Sequence, residues 1–242
     1  MSQPFATFII PSLGRPSLQK AIKSIQDQDD GDWQAIVSFD HLPPSEMPDD
    51  QRISAYRFDG GESSREGYRS RPGAVRNHVV KYVKTDWIAF LDDDDIISPD
   101  YLRRLKADAR DNDVVVFRMM YPDMVRFLPK PGLRVEKMGI GCLGISYAVR
   151  KHVFDKHFFR PGRGADWGLI RDLRKSKMKI KFSDYVTYFI RYKCIDDRTI
   201  RRKTEVEAML AAYAKDSSID WRAMIHVAPC GQPARFLPGF KP

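Results

Sequence analysis

The chain has 242 residues, 43% hydrophobic and 30% charged, with a formal net charge of +9 and a mean hydropathy of -0.46. Its 14 Phe, 10 Tyr and 4 Trp are enough for a sizeable core. The longest nearly apolar stretch, Gly139 to Val149, is 11 residues, against the roughly 20 a membrane helix needs, and MSQPFATFII lacks the basic and apolar regions of a signal peptide.

Phe5 to Ile10 is an apolar run of strand length, and Pro16 to Gln28 follows with Leu18, Ile22 and Ile25 at helical spacing. Gln34 to Phe39 reads as a second strand, and Ile53 to Phe58 alternates like a half-buried third. Gly60 to Pro72 is a polar, Gly-rich loop. Gly73 to Lys84 reads as a helix with Val75, Val79, Val80 and Val83 inward, and Trp87 to Leu91 as a short buried strand. Ser98-Pro99-Asp100 predicts a helix start with Ser98 as cap. Asp113 to Arg118 is another strand. Strands alternating with helices predict an α/β layer with a mainly parallel sheet. Ligands then sit at the carboxyl ends of the strands, in the loops after Ile10, Phe39 and Leu91.

The second half is less regular. Ile145 to Val149 and Val186 to Tyr192 read as strands. Arg150 to His157, Asp166 to Ser176 and Lys203 to Lys215 read as helices. From Ala228 the tail is too rich in Pro and Gly for regular structure. One domain over 1–198, with halves 1–118 and 119–198, and an extension over 199–242 is therefore expected. Residues 1–149 carry 20 basic and 22 acidic side chains, whereas 150–242 carry 21 and 10. The second half thus makes a positive field suited to an anionic partner, or a solvated basic face.

Three cysteines, Cys142, Cys194 and Cys230, show neither metal spacing nor CxxC. They fit free thiols in a reducing, cytoplasmic compartment. The five His are scattered, which argues against zinc. Gly139 to Gly144 matches G-x-G-x-x-G literally, but a poor strand precedes it and a strand follows it, so it is not read as a dinucleotide site.

Asp92, Asp93, Asp94 and Asp95 follow directly on the buried strand WIAFL. Four adjacent carboxylates repel one another unless something positive neutralises them. Mg²⁺ or Mn²⁺ would do so through one or two carboxylates plus substrate phosphates. Asp92 and Asp94, two residues apart, make a natural pair. The plainer alternative is a solvated acidic loop leading into the next helix.

Four segments together resemble a family-2 glycosyltransferase of the GT-A type, over roughly residues 5 to 192. They are Phe8 to Ser12 with Arg15-Pro16, Ile36 to Asp40, Gly73 to Asn77, and Trp87 to Asp95. The resemblance implies a GT-A (Rossmann-like) domain acting on a nucleotide-diphosphate sugar, with a UDP-sugar the expected donor and a glycan or other hydroxyl the acceptor. It implies Pro11, Ser12 and Arg15 at the nucleotide and Asp40 at the base N3–H. Arg76 would meet diphosphate or ribose, Asp92 and Asp93 the nucleotide sugar, and Asp92 and Asp94 the metal. Plainer roles stay open: a strand-end turn acid for Asp40, a surface residue for Arg15, and a salt bridge to the acidic turn for Arg76.

The resemblance also implies a carboxylate base opening a helix after the metal motif. Asp166 fills that place, although the Glu expected before it is Ala165; a plain N-cap is the alternative. Trp167 could stack on a sugar or pack in the core, and Gly144 could line the acceptor pocket. Lys193 stands where some relatives carry a His, and reads as part of the basic face. An inverting, metal-dependent glycosyltransferase is the leading expectation. The rivals are a basic nucleic-acid or anionic-surface binding protein, and a sugar nucleotidyltransferase on the same fold. No nucleic-acid partner is expected, since no RRM, KH or helix-turn-helix signature is visible; peripheral membrane contact is left open.

Overall fold

The computed structural model describes residues 3–44, 46–60, 71–120, 127–130, 132–161, 164–190, 225–226 and 235–236. The strands are β1 (Ala6–Ser12), β2 (Trp33–Asp40), β3 (Ile53–Phe58), β4 (Trp87–Phe90), β5 (Ile96–Ile97), β6 (Val114–Met120), β7 (Phe127–Leu128), β8 (Tyr147–Arg150) and β9 (Ile180–Phe189). The helices are α1 (Leu18–Gln26), α2 (Arg71–Val80), α3 (Tyr101–Asp108) and α4 (Ala165–Lys175), with 3₁₀ turns over Val135–Lys137 and Lys151–Asp155. A two-residue ladder joins Ile225–His226 to Arg235–Phe236. The expected helix over 203–215, the loop over 61–70 and most of the tail lie outside the described residues.

The nine strands form one sheet in the order β3-β2-β1-β4-β8-β6-β9-β5, with β7 beside β6. β3, β2, β1 and β4 run parallel. Beyond them the sheet is mixed, since β8 is antiparallel to both β4 and β6 while β9 is parallel to β6. A parallel strand covered on both faces reads as a nearly continuous apolar run. Every residue of β1 and β4 is buried accordingly.

Register assigns the two faces. Phe8 of β1 lies beside Ala89 of β4, and Ile9 beside Phe90, so Phe8 and Phe90 point to opposite sides. Phe8 packs on Tyr101 of α3. Phe90 meets Tyr147, Phe154 and Phe159 and lies under Arg76 of α2. Gln28, just after α1, ties that helix to α3. Its amide donates to the Ser98 carbonyl at 2.7 Å and accepts the Leu102 N–H at 3.0 Å.

Several elements differ from the sequence reading; α2 covers Arg71–Val80 and so stops before Val83, and the helix read over 150–157 is a 3₁₀ turn at Lys151–Asp155. α3 starts after Asp100 and not after Ser98, with no side-chain cap bond. Ser98 is used up elsewhere: its hydroxyl donates to Asp100 at 2.7 Å and its N–H to the Thr187 carbonyl. β9 begins at Ile180, six residues before the predicted start; the exposed Lys181 and Asp184 break the apolar pattern of its first half. β5 went unread, since two residues carry no periodicity; it exists because Ile96 and Ile97 pair with Phe189 and Tyr188.

Candidate functional site

The strand order reverses between β1 and β4, because β2 and β3 lie to one side of β1 and β4 to the other. Loops leaving such neighbouring strands part, and a crevice opens at their carboxyl ends. A cleft of about 190 Å³ lies there. Pro11, Ser12 and Arg15 line it from the end of β1, Asp40 from the end of β2, and Asp92, Asp93 and Asp94 from the turn after β4. Leu13, Pro72 and Val75 complete the wall; the sequence reading missed them as lining because each reads as an ordinary apolar residue. Seven residues expected at the nucleotide or metal therefore meet in one place.

The four aspartates have separate surroundings. Asp93 is buried, 4% exposed. Its Oδ2 accepts the Ser12 hydroxyl at 2.9 Å and the Leu13 N–H at 3.0 Å, and its Oδ1 accepts Arg15 Nη1 at 3.1 Å. Gly14 adopts φ +68°, a left-handed turn natural to glycine, so its N–H returns to the Ser12 hydroxyl at 3.0 Å. Asp93 thus knits the β1 loop to the acidic turn. Burial pushes its carboxyl above the usual range, against the pull of those donors. Asp95 is also buried and takes a hydrogen bond from the Tyr188 hydroxyl. That hydroxyl accepts the Asp92 N–H at 3.1 Å.

Asp92 and Asp94 both line the cleft, yet each faces its own arginine. Asp94 lies 3.2 Å from Arg15 Nη1, both side chains about two-fifths exposed (39% and 44%). Asp92 pairs with Arg76 Nη2. Arg76 does not line the cleft. Its side chain is 2% exposed, and its other Nη meets Asp166 Oδ1 at 3.2 Å. The salt bridge to the acidic turn, left open by the sequence, is what Arg76 makes here. Among the described residues, no three His, Cys, Asp or Glu side chains converge as a self-sufficient metal site.

Asp166 is the second residue of α4 and not its cap; Gly164, at φ +75°, holds the cap position. The Asp166 carboxylate is one-third exposed. Burial raises its pKa above the usual carboxylate value; Arg76 pulls it down and Asp92 pushes it up. Tyr147, unremarkable in the sequence, reaches the Asp166 carbonyl with its hydroxyl at 3.3 Å. Trp167 is partly buried and packs against the core. Gly144 precedes β8, where an added Cβ would come within 2.8 Å of the Met119 sulfur. Neither Trp167 nor Gly144 lines the cleft.

Because Asp93 serves three donors, Asp93→Ala is expected to loosen both loops and to cost about 1–3 kcal/mol for the groups left unpaired. Urea unfolding should show a lower midpoint with unchanged slope; an unchanged midpoint would mean that the loops do not depend on it.

A mixed sheet with its crevice at the β1/β4 switch point, an acid at the end of β2 and an acidic turn after β4 has the GT-A arrangement. Residues 7–166 match the family described as Glycosyl transferase family 2. The chain belongs to that family. It is 30% identical over 122 residues to a GalNAc(5)-diNAcBac-PP-undecaprenol beta-1,3-glucosyltransferase of Campylobacter jejuni, a match covering 47% of this chain and 37% of that protein. Among solved structures, S. aureus TarS 1-349 superposes with a TM-score of 0.59 at 18% identity, over 85% of this chain and 65% of that one. Glucosyl-3-phosphoglycerate synthase of Mycobacterium tuberculosis, in complex with Mn²⁺, UDP and phosphoglyceric acid, superposes with a TM-score of 0.53 at 17% identity, over 88% and 79%. At such identities the structural likeness speaks for the fold. The chain spans little over a third of the Campylobacter protein and just under two thirds of TarS 1-349. Among the described residues no helix is long and apolar enough to cross a membrane.

Proposed function

We propose that the protein is an inverting, metal-dependent glycosyltransferase that moves a sugar from a UDP-sugar to a hydroxyl acceptor. The observation that carries this reading is the single cleft joining Asp40 to the aspartate turn, with Asp166 tied to that turn through Arg76. Family membership supports it. So do the TarS structures with UDP-GlcNAc and with UDP, and the Mn²⁺ and UDP of the mycobacterial synthase. The Campylobacter relative supports a glycan-type acceptor. A purely nucleic-acid-binding protein has no use for a buried acidic turn in this crevice.

The residues present fit a hard divalent ion. Asp94 and Asp92 put partly exposed carboxylates into the cleft, and such an ion takes its other oxygens from water and substrate phosphates. Asp92 and Asp94 would hold it. When bound, it supplies positive charge against the charge growing on the departing diphosphate.

The chain's own residues do the rest. Asp40 accepts the uracil N3–H at the end of β2, and Pro11 and Ser12 bound the nucleoside. Arg15 lies at the mouth of the cleft, where its guanidinium can meet phosphate oxygens. Asp166 takes the proton from the acceptor hydroxyl as that oxygen bonds to the anomeric carbon. The bond from that carbon to the diphosphate oxygen breaks, and the nucleoside diphosphate leaves with the electron pair. Attack from the side opposite the leaving group inverts the anomeric centre.

The direct test is thermal unfolding with UDP, GDP, ADP and CDP, each with and without Mn²⁺. A ligand at a hundredfold excess over its Kd adds about 2.7 kcal/mol, which for this length is a shift of several degrees in Tm. UDP with Mn²⁺ should give that shift, and UDP with EDTA a much smaller one. An unmoved Tm with UDP, UDP-GlcNAc and UDP-glucose in Mn²⁺ would defeat the donor assignment.

A further inference from the structure

We propose that Arg76 is a positioning residue that holds the donor-side carboxylate Asp92 and the acceptor-side carboxylate Asp166 at one separation, so that a single guanidinium aligns leaving group and incoming hydroxyl. This rests on the transferase reading above and adds a residue that acts through both of those acids.

Arg76 sits on α2, in the layer covering the Phe90 face of the sheet. Its side chain is almost fully buried, with one terminal nitrogen on Asp92 and the other on Asp166. Among the described residues both terminal nitrogens of the fork meet carboxylates of the bridge, while Nε has no partner there.

The walls are stiff. The guanidinium carbon lies 5.9 Å from the Phe90 ring centre and 5.3 Å from that of Phe159, within cation–π range. Asn77, the next residue, grips the Phe159 backbone twice: its amide donates to the carbonyl at 2.9 Å and its oxygen accepts the N–H at 3.0 Å. The segment leading to α4 therefore cannot slide along α2. Each bridged acid is also tethered through its own backbone, Asp92 by the Tyr188 hydroxyl and Asp166 by the Tyr147 hydroxyl.

An ion triad around a buried guanidinium is a poor way to gain stability, because well-packed apolar residues often do as well or better. What it supplies is direction. A planar fork holds two carboxylates at set angles, which a lysine, as a single point charge, cannot do. Asp92 lines the cleft and Asp166 lies on the far side of the fork, so the bridge spans the two halves of an in-line displacement.

The test compares wild type with R76K, D166N and the double variant, following Mn²⁺-dependent release of UDP from UDP-GlcNAc, UDP-glucose and UDP-galactose with water as acceptor. R76K is expected to lose about 10²-fold in kcat, the scale of a misplaced catalytic group, with little change in donor KM. R76K added to D166N should cost less than R76K does alone, since only the Asp92 arm is then left to lose. R76K at wild-type kcat overturns the proposal. A loss carried by KM also overturns it, since Arg76 would then be a donor ligand. Should R76K fail to fold, ¹⁵N-labelled arginine in the wild type decides the matter. Distinct Nη signals that merge in D166A, which removes the acceptor oxygen, are expected, and averaged signals in the wild type overturn the bridge. A wild type that releases UDP from none of these donors defeats the transferase reading and this role with it. R76K matching an active wild type defeats this role alone.

Discussion

Asp166→Asn is expected to lower kcat for sugar transfer by about 10²–10⁴-fold, the usual range for a positioned general base, while UDP binding stays as in the wild type. The amide matches the carboxylate in shape and still offers an oxygen to Arg76, 3.2 Å away in the native protein, so the bridge persists. It cannot take a proton. Asp166 does not line the cleft at the end of β1, which is why donor affinity is expected to be spared. The pH profile supplies a second reading. The base works as its anion, and burial holds its pKa above the ordinary 3.8. Activity should therefore rise with pH along a limb displaced upward from the usual carboxylate range, and D166N should lack that limb. The same upward displacement means that the folded state binds this proton more tightly than the unfolded chain does. Its contribution to stability is thus present at low pH and is lost as pH rises through the folded-state value. Isothermal titration with UDP and Mn²⁺, beside initial rates against pH, checks both parts. Transfer at the wild-type rate would remove Asp166 as the base.

Asp94→Ala is expected to cost about 10³-fold in donor turnover, equivalent to several kcal/mol of charge stabilisation at the leaving group, with the fold intact. The Asp94 side chain is 39% exposed and its ion pair is with an equally exposed Arg15; pairs of that kind contribute about 0–1 kcal/mol. Losing it should barely move the unfolding midpoint. The Mn²⁺-dependent part of the UDP-induced Tm shift should disappear together with turnover. If D94A keeps both, the ion is held elsewhere or not used. The contrast with Asp93 is informative, because the neighbouring residue is expected to fail in stability.

Much of the architecture was legible along the chain. β1, β2 and β4 are short parallel strands covered on both faces, and their runs FII, AIV and WIAF carry that burial in their composition. α1 was legible from Leu18, Ile22 and Ile25, which are the residues it buries along with Ala21. The site was legible for a related reason: chemistry in such a sheet collects at strand ends, and Ser12, Asp40 and Asp92 all stand where a strand stops. Elements made by pairing alone were not legible. β5 has two residues and depends on β9. Ser98 has the composition of a helix cap, but its hydroxyl goes to Asp100 and its N–H to the distant Thr187.

The sequence by itself determined, to within two residues, where β1, β2 and β4 end and which residue types stand there, because burial on two faces dictates composition locally. Only the tertiary structure decided what each aspartate of an identical row does. Asp92 is claimed by an arginine from α2, Asp93 by the loop after β1, Asp94 by the exposed side of that loop, and Asp95 by a tyrosine of β9. Four equal carboxylates are made unequal by burial and by charges brought in from far along the chain, and both depend on how the layers pack.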